Sequence, residues 1–147
     1  PRQAFPDPTM TWITGPTTIR NNVISSGSGN CMVCVEDYGH QLSAEQMRIS
    51  NNGNVYQRTS TSSPTWAAIW SRGAGDPAVY TSIGAYKTAT GQDARSIALD
   101  VTPAVVAGGW QLTSAVDAQT GAIALPLPSN IATLVGQPAS TVHIGIW

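Results

Sequence analysis

From Ala118 to Trp147 the chain contains no Asp, Glu, Lys or Arg. A stretch of this length without formal charge makes a poor water-facing surface, so it has to be covered by the rest of the fold or by another copy of the chain. Pro126 and Pro128 point to an edge strand or a strand exit after Ala122-Ile123-Ala124-Leu125, since proline cannot donate to a ladder. Further on, Val142, Ile144 and Ile146 alternate with Thr141, His143, Gly145 and Trp147. In a strand these two sets face opposite ways. Both faces carry apolar groups, which predicts cover on both sides and therefore a homo-oligomer.

The whole sequence shares this character. Charged residues make up 10% of the chain, against roughly 25% in an average soluble protein, while the 41% hydrophobic fraction is enough for a core. Ser, Thr, Asn, Gln and Gly stand where charges would, as on extracellular β proteins and sugar-binding surfaces. The net charge is −1, Lys87 is the sole lysine and the arginines are scattered. Phosphate binding needs clustered cations, so no nucleic-acid partner is expected. The longest apolar run, Val101 to Gly109, is broken by Pro103 and is far shorter than the roughly 20 residues of a membrane span. No membrane insertion is expected. The start, Pro1-Arg2-Gln3-Ala4-Phe5, lacks the apolar core of a signal peptide, and a chain opening on Pro1 fits either processing or a piece of a longer polypeptide.

Local patterns predict an all-β class: small β-sandwich or knob-type modules of short antiparallel strands and hairpins, with little helix. Thr17 to Ile24 reads as a strand ending at Ser25-Ser26-Gly27-Ser28-Gly29-Asn30, and Cys31 to Glu36 as a second, closed by Asp37-Tyr38-Gly39. Met47 to Ser50 and Val55 to Arg58 flank Asn51-Asn52-Gly53-Asn54. An Asn-Gly pair between alternating segments is the strongest short-range hairpin signal, so a hairpin is predicted there. Ser43-Ala44-Glu45-Gln46 has the spacing of a capping box, one helical turn or else a polar loop. In the second half, Ala78 to Ala85 and Arg95 to Val101 read as strands and Asp117 to Gly121 as a turn. A composition shift at Gly73-Ala74-Gly75-Asp76-Pro77 predicts two modules, 1–74 and 75–147.

Chemistry-bearing residues are few. Cys31 and Cys34 have the spacing of a zinc ligand pair or redox dithiol, with Asp37 and His40 nearby. On a strand, however, residues three apart face opposite ways, which favours two buried structural thiols and no metal site. Glu36, Asp37 and Glu45 are candidates for a glycosidase carboxylate pair, yet adjacent Glu36 and Asp37 point apart on a strand. No G-x-S-x-G or H-E-x-x-H sequence occurs. No catalytic residue, cofactor or enzyme activity is therefore expected. Tyr38, Tyr56, Trp66 and Trp70 are more informative: aromatic faces stack on sugar C–H faces, and Asn54, Gln57 and Arg58 offer hydrogen bonds to hydroxyls. The competing role for Trp66 and Trp70 is to anchor a small core.

Four segments together resemble a known family. Gly29-Asn30-Cys31-Met32-Val33-Cys34-Val35, Gln41 to Ile49, Gly53-Asn54-Val55-Tyr56-Gln57-Arg58-Thr59 and Thr65-Trp66-Ala67-Ala68-Ile69-Trp70 look like the knob modules of bacteriophage tail fibres and R-type pyocin fibres. Tyr56 and Arg58 fall on that family's Y-x-R positions and Thr65 and Trp66 on its T-W positions; Trp70 departs from the commoner spacing by one residue. The resemblance covers roughly residues 11–72. It implies a homotrimeric virion fibre segment, located on the virion or extracellularly, whose partners are other virion proteins and possible bacterial surface glycans. The ligand-contacting candidates are Asn54, Tyr56, Arg58, Trp66 and Trp70. Asp117-x-x-Thr120-Gly121-x-Ile123-x-Leu125 is similar to Ig-like modules of phage baseplate and tail proteins. A secreted carbohydrate-binding module, a polysaccharide depolymerase and a viral capsid or decoration protein are the alternatives that share this composition.

Overall fold

The computed structural model describes residues 16–26 and 29–145. Residues 11–15 of the family resemblance, Gly27-Ser28 of the predicted turn, the N-terminal pentapeptide, and Ile146 and Trp147 of the predicted last strand lie outside them.

The chain traces one path twice. Strands β1 (Thr17–Arg20), β2 (Val23–Ser26) and β3 (Cys31–Val35) form a first turn; β4 (Ile49–Asn52), β5 (Val55–Arg58) and β6 (Trp66–Trp70) form a second. Each strand of the second turn lies parallel on its counterpart in the first, with Thr17 opposite Ile49, Val23 opposite Val55 and Cys31 opposite Trp66. A third layer is partial: β8 (Ile97–Asp100) lies parallel on β5, with Val55 opposite Ile97. The exception is β7 (Ala78–Tyr80), antiparallel to β6. The β-rich class thus holds, while the sheets are small two- and three-stranded ladders rather than a sandwich.

This winding corrects the predicted hairpin. Strands β4 and β5 do not pair with each other; Asn52-Gly53 is a corner between two sides of the same turn. The corner needs left-handed backbone at Gly53 (φ 70°) and at the equivalent position of the turn below, Asn21 (φ 58°). Both residue types tolerate that conformation, which is also what gives Asn-Gly its hairpin signature. The same break divides the predicted Thr17–Ile24 strand into β1 and β2.

Helix α1 (Ile83–Thr90) replaces the second half of the predicted Ala78–Ala85 strand. Ser82 caps its start by accepting from Ala85 N, and Gly91 ends it in the left-handed conformation (φ 70°), donating to Lys87 O. Ile83 and Tyr86, three apart, turn inward. The short helices α2 (Ser114–Asp117), α3 (Thr120–Ile123) and α4 (Ser129–Leu134) take the place of the predicted turn at Asp117–Gly121 and part of the strand after it. Of the predicted last strand, one bridge remains in the described residues, Val142 to Pro126. The Ser43 capping box is present in full: Gln46 N donates to Ser43 Oγ, Ser43 N donates to Gln46 Oε1, and Met47 N closes one helical turn on Ser43 O.

Two cores flank the winding. Inside it, Val33, Val35, Ala68, Trp70 and Tyr56 pack with Ile83 and Tyr86 of α1. On the other side, Val55 packs with Ala104, Val116, Ile123, Ala124 and Ile144. Successive residues of β5 point to opposite faces, so Val55 serves one core and Tyr56 the other. Strand β8 and the second core draw on residues beyond Gly73–Pro77, so strands on either side of that composition shift share one ladder.

Candidate functional site

Four of the five ligand-contacting candidates lie inside the protein. Asn54 has no exposed surface, Tyr56 1%, Trp70 3% and Arg58 6%. Asn54 belongs to a stack formed by equivalent corner positions of successive turns. Its Oδ1 accepts from Asn22 N (3.0 Å), its Nδ2 donates to Ile19 O (3.0 Å), and its backbone N donates to Ser96 Oγ (2.7 Å). The buried Asp93 carboxylate gathers the rest: Tyr56 Oη donates to it at 2.8 Å, Asn54 Nδ2 at 3.1 Å, and Ser96 Oγ closely. Burial, and then the charge of Asp93, push the hydroxyls of Tyr56 and Tyr86 well above the ordinary tyrosine range, so both stay protonated: Tyr56 donates to Asp93, and Tyr86 Oη accepts from Asn51 Nδ2 at 3.1 Å. Arg58 grips Asp100 with two parallel bonds, Nε to Oδ1 at 2.7 Å and Nη2 to Oδ2 at 2.8 Å. It also donates to Thr81 O at 3.0 Å. Trp70 stacks obliquely on Tyr86 with ring centres 5.3 Å apart, and its indole N–H donates to Glu45 Oε1 at 2.9 Å. These side chains hold turn to turn. Of the five, Trp66 alone is half-buried, at the first position of β6, and Tyr38 is 84% exposed.

The expectation of two buried thiols is corrected. Cys31 and Cys34 are joined in a disulfide, and Cys34 faces solvent. Their Cα atoms are 5.7 Å apart, against about 10 Å for three residues of extended strand. The chain is therefore bent here, and the argument from strand alternation does not apply. Oxidised sulfurs are not thiolate ligands, His40 Nδ1 lies 2.6 Å from Gly75 O, and among the described residues no three His, Cys, Asp or Glu side chains cluster as metal ligands. Asp37 accepts from the backbone N–H groups of Leu42, Gln41 and Gly39, which hold its carboxyl below its ordinary value. It organises a turn.

The exposed chemistry is in the C-terminal third. Arginines and an asparagine fasten this segment to the corner. Asn21 pairs its side-chain amide with both backbone groups of Leu125, donating to O at 2.7 Å and accepting from N at 2.8 Å. Arg20 Nη2 donates to Pro126 O, and Arg95 donates to Ala122 O and Gly121 O. Gly53 sits so close that an added Cβ would lie 2.8 Å from Ile123 O. Beyond these anchors, apolar side chains of the segment, and of the Trp110 loop that precedes it, stand in water. Leu134 and Trp110 are each 80% exposed, Val135 45%, Ile131 40% and Val142 37%. Two grooves include one of these residues each, Ile131 in the first and Trp110 in the second. One, of about 400 Å³, runs between Arg20 and Asn22 of the corner and Leu127, Pro128 and Ile131. The other, of about 830 Å³, is lined by Trp110, Gln111, Leu112, Asp117 and Ile144. His143 borders both. At 25 cal/mol per Å², a tryptophan left four-fifths in water forgoes roughly 3–5 kcal/mol of burial.

No protein family, curated protein or solved structure matches the chain. Among the described residues no helix is long and apolar enough to cross a membrane. The absence of charge after Ala118 led to this face from sequence alone, but Trp110 was not among the expected site residues. Its neighbours Gly108 and Gly109, which place it on a turn, are the signal that was available.

Proposed function

We propose that the chain is a structural component of a bacteriophage tail fibre or baseplate, which assembles through its own C-terminal face and takes part in attachment to the host surface. The observation that carries the assembly half is the exposed apolar set Ile131, Leu134 and Val135 at the end of α4, spaced to share one helix face, in a segment without a single formal charge. Exposed apolar clusters of this kind mark association sites, and identical copies of one chain are its natural cover. The strand-on-strand winding also suits a fibre, since stacked parallel turns extend along one axis by adding layers. The Cys31–Cys34 disulfide supports an extracellular or virion location, because disulfides persist in oxidising surroundings. The tail-fibre assignment itself rests on the knob-like segments around Tyr56-Gln57-Arg58 and Thr65-Trp66.

Light-scattering mass tests the reading across roughly a hundredfold range of concentration, because self-association follows mass action. The expected result is a stable three-chain mass throughout. A single-chain mass at every concentration overturns the assembly half and favours a monomeric carbohydrate-binding module.

A further inference from the structure

The segment between β8 and α2 presents an indole to solvent on a closed loop. Val105 and Leu112 bridge its base, Val106 N donates to Gln111 O at 2.8 Å, and Gly109 N donates to Val106 O at 3.1 Å. Gly108 supplies the left-handed residue at the tip (φ 73°). Backbone hydrogen bonds thus fix the loop while Trp110 beside the tip remains 80% exposed. Along the groove below it stand Gln111 and Asp117, both exposed, and Leu112 and Ile144 form its apolar part. The Asp117 carboxylate and the Gln111 amide have no hydrogen-bond partner among the described residues.

We propose that the Trp110 groove is a binding site for a neutral glycan, with one pyranose ring stacked on the indole and its hydroxyls held by Asp117 and Gln111. It rests on the host-attachment half of the function proposed above and is independent of the assembly half. The apolar C–H face of a hexose matches the face of an indole. Two carboxylate oxygens accept from neighbouring hydroxyls, and an amide both donates and accepts, so the pair suits the alternating chemistry of a sugar edge. Among the described residues that line the groove, which include His143, Asp117 is the only Asp, Glu, Lys or Arg, and its carboxylate disfavours anionic sugars. A second copy of the chain is a poorer match, because one aromatic flanked by unpartnered polar groups lacks the continuous apolar patch of Ile131, Leu134 and Val135. The groove is open and of about 830 Å³, within the range of roughly 300–1,000 Å³ typical of small-ligand sites.

The test is binding of the full chain to an array of purified bacterial surface polysaccharides, with light-scattering mass and melting temperature measured on the same samples. The expected result is binding to one or more neutral glycans, weakened at least about tenfold, or 1.4 kcal/mol, by Trp110→Ala and by Asp117→Asn, with mass and melting temperature unchanged. Absence of binding to every glycan overturns the inference, as does binding that survives Trp110→Ala. Loss of oligomer mass in Trp110→Ala shows a self-contact instead and also overturns it. A stable oligomer that binds no glycan removes this inference alone, whereas a glycan-binding monomer removes the assembly reading alone.

Discussion

Asn54 donates from its side-chain amide to the carboxylate of Asp93 across 3.1 Å, and neither residue has any surface in water. Asp93 comes from the loop that follows α1, Asn54 from the corner between β4 and β5, and the same amide group takes hold of Asn22 one turn below. Three layers of chain are thus joined at one point. Asn54→Ala leaves the buried Asp93 carboxylate short of a donor, and it removes the acceptor of Asn22 N and the donor to Ile19 O at the edge of the same network. Removing one partner of buried polar groups costs about 1–3 kcal/mol for each group left unmet, so a loss of roughly 2–5 kcal/mol is expected. Urea unfolding would measure it, and a loss under about half a kcal/mol would contradict the network's role.

Gly53 supplies the corner itself. Its φ of 70° and the 2.8 Å approach of a would-be Cβ to Ile123 O both oppose any side chain. Gly53→Ala is expected to cost about 1–3 kcal/mol, from left-handed strain plus displacement of the α3 carbonyl. Gly75→Ala is the control: that glycine also has positive φ, but nothing lies within 4 Å of its Cβ position, so it keeps the strain and loses the clash. Equal losses in the two variants would show that the contact with α3 carries nothing.

These two residues also show what was readable in the sequence and what was not. Asn-Gly announces a backbone with positive φ, but a hairpin turn and a winding corner need that same conformation. What separates them is whether the flanking strands pair with each other or with strands 32 residues away, as Val23 does with Val55. Non-local pairing leaves no local trace beyond faint repetition, here Asn22-Val23 and Asn54-Val55. Strand positions were therefore legible and their partners were not. Helix α1 was hidden for another reason: Ala78 to Ala85 is apolar with no clear period, and only the Ser82 and Gly91 caps reveal the helix. The C-terminal face was legible as missing charge, a property of composition that survives ignorance of topology. The aromatic and polar candidates at 54, 56, 58 and 70 have the chemistry of a binding site, but a winding with so few apolar residues per layer uses the same groups inside.

Trp70, not Trp66, is the core anchor. Trp70 is 3% exposed against Tyr86 and Val35, whereas Trp66 is half-buried near the start of β6. Trp70→Ala is expected to cost about 3–5 kcal/mol, with loss of the indole hydrogen bond to Glu45 adding to the cavity. Trp66→Ala should cost less than half as much. Thermal unfolding of both variants compares them, and a reversed order would contradict the packing.

Acid should weaken the fold once pH drops below the ordinary carboxylate range. The hydrogen bonds from Arg58, together with its charge, hold the Asp100 carboxyl below its ordinary value, and three backbone N–H groups do the same for Asp37. A carboxyl lowered in the folded state binds fewer protons there than in the unfolded chain. Its stabilisation is therefore complete above the unfolded value of about 3.9 and is lost as pH falls through the lower folded value. Stability should be level from neutrality down to about pH 5 and then fall steeply below about pH 4. Asp100→Asn should lower the urea midpoint at pH 7, and the difference from the parent chain should shrink as pH falls below the ordinary carboxylate range. A difference that stays the same as pH falls would mean that the ion pair is not what Asp100 contributes.

Leu134 tests how the charge-free face is covered. It ends α4 with 80% of its surface in water, beside Val135 at 45%, and makes no contribution to either buried core. A glutamate there is compatible with the isolated chain, since surface substitutions outside special environments usually change stability by less than about 0.5 kcal/mol. Against a second copy the same carboxylate is buried, and the segment after Ala118 offers it no Lys or Arg. An unpaired charge in an interface costs several kcal/mol. Leu134→Glu is therefore expected to dissociate the oligomer while each chain keeps its fold, which light scattering and far-ultraviolet circular dichroism would register together. Retention of the full oligomer mass in this variant would place the contact elsewhere on the chain. Loss of fold and mass together would mean instead that α4 stabilises the chain from within, contrary to its exposure.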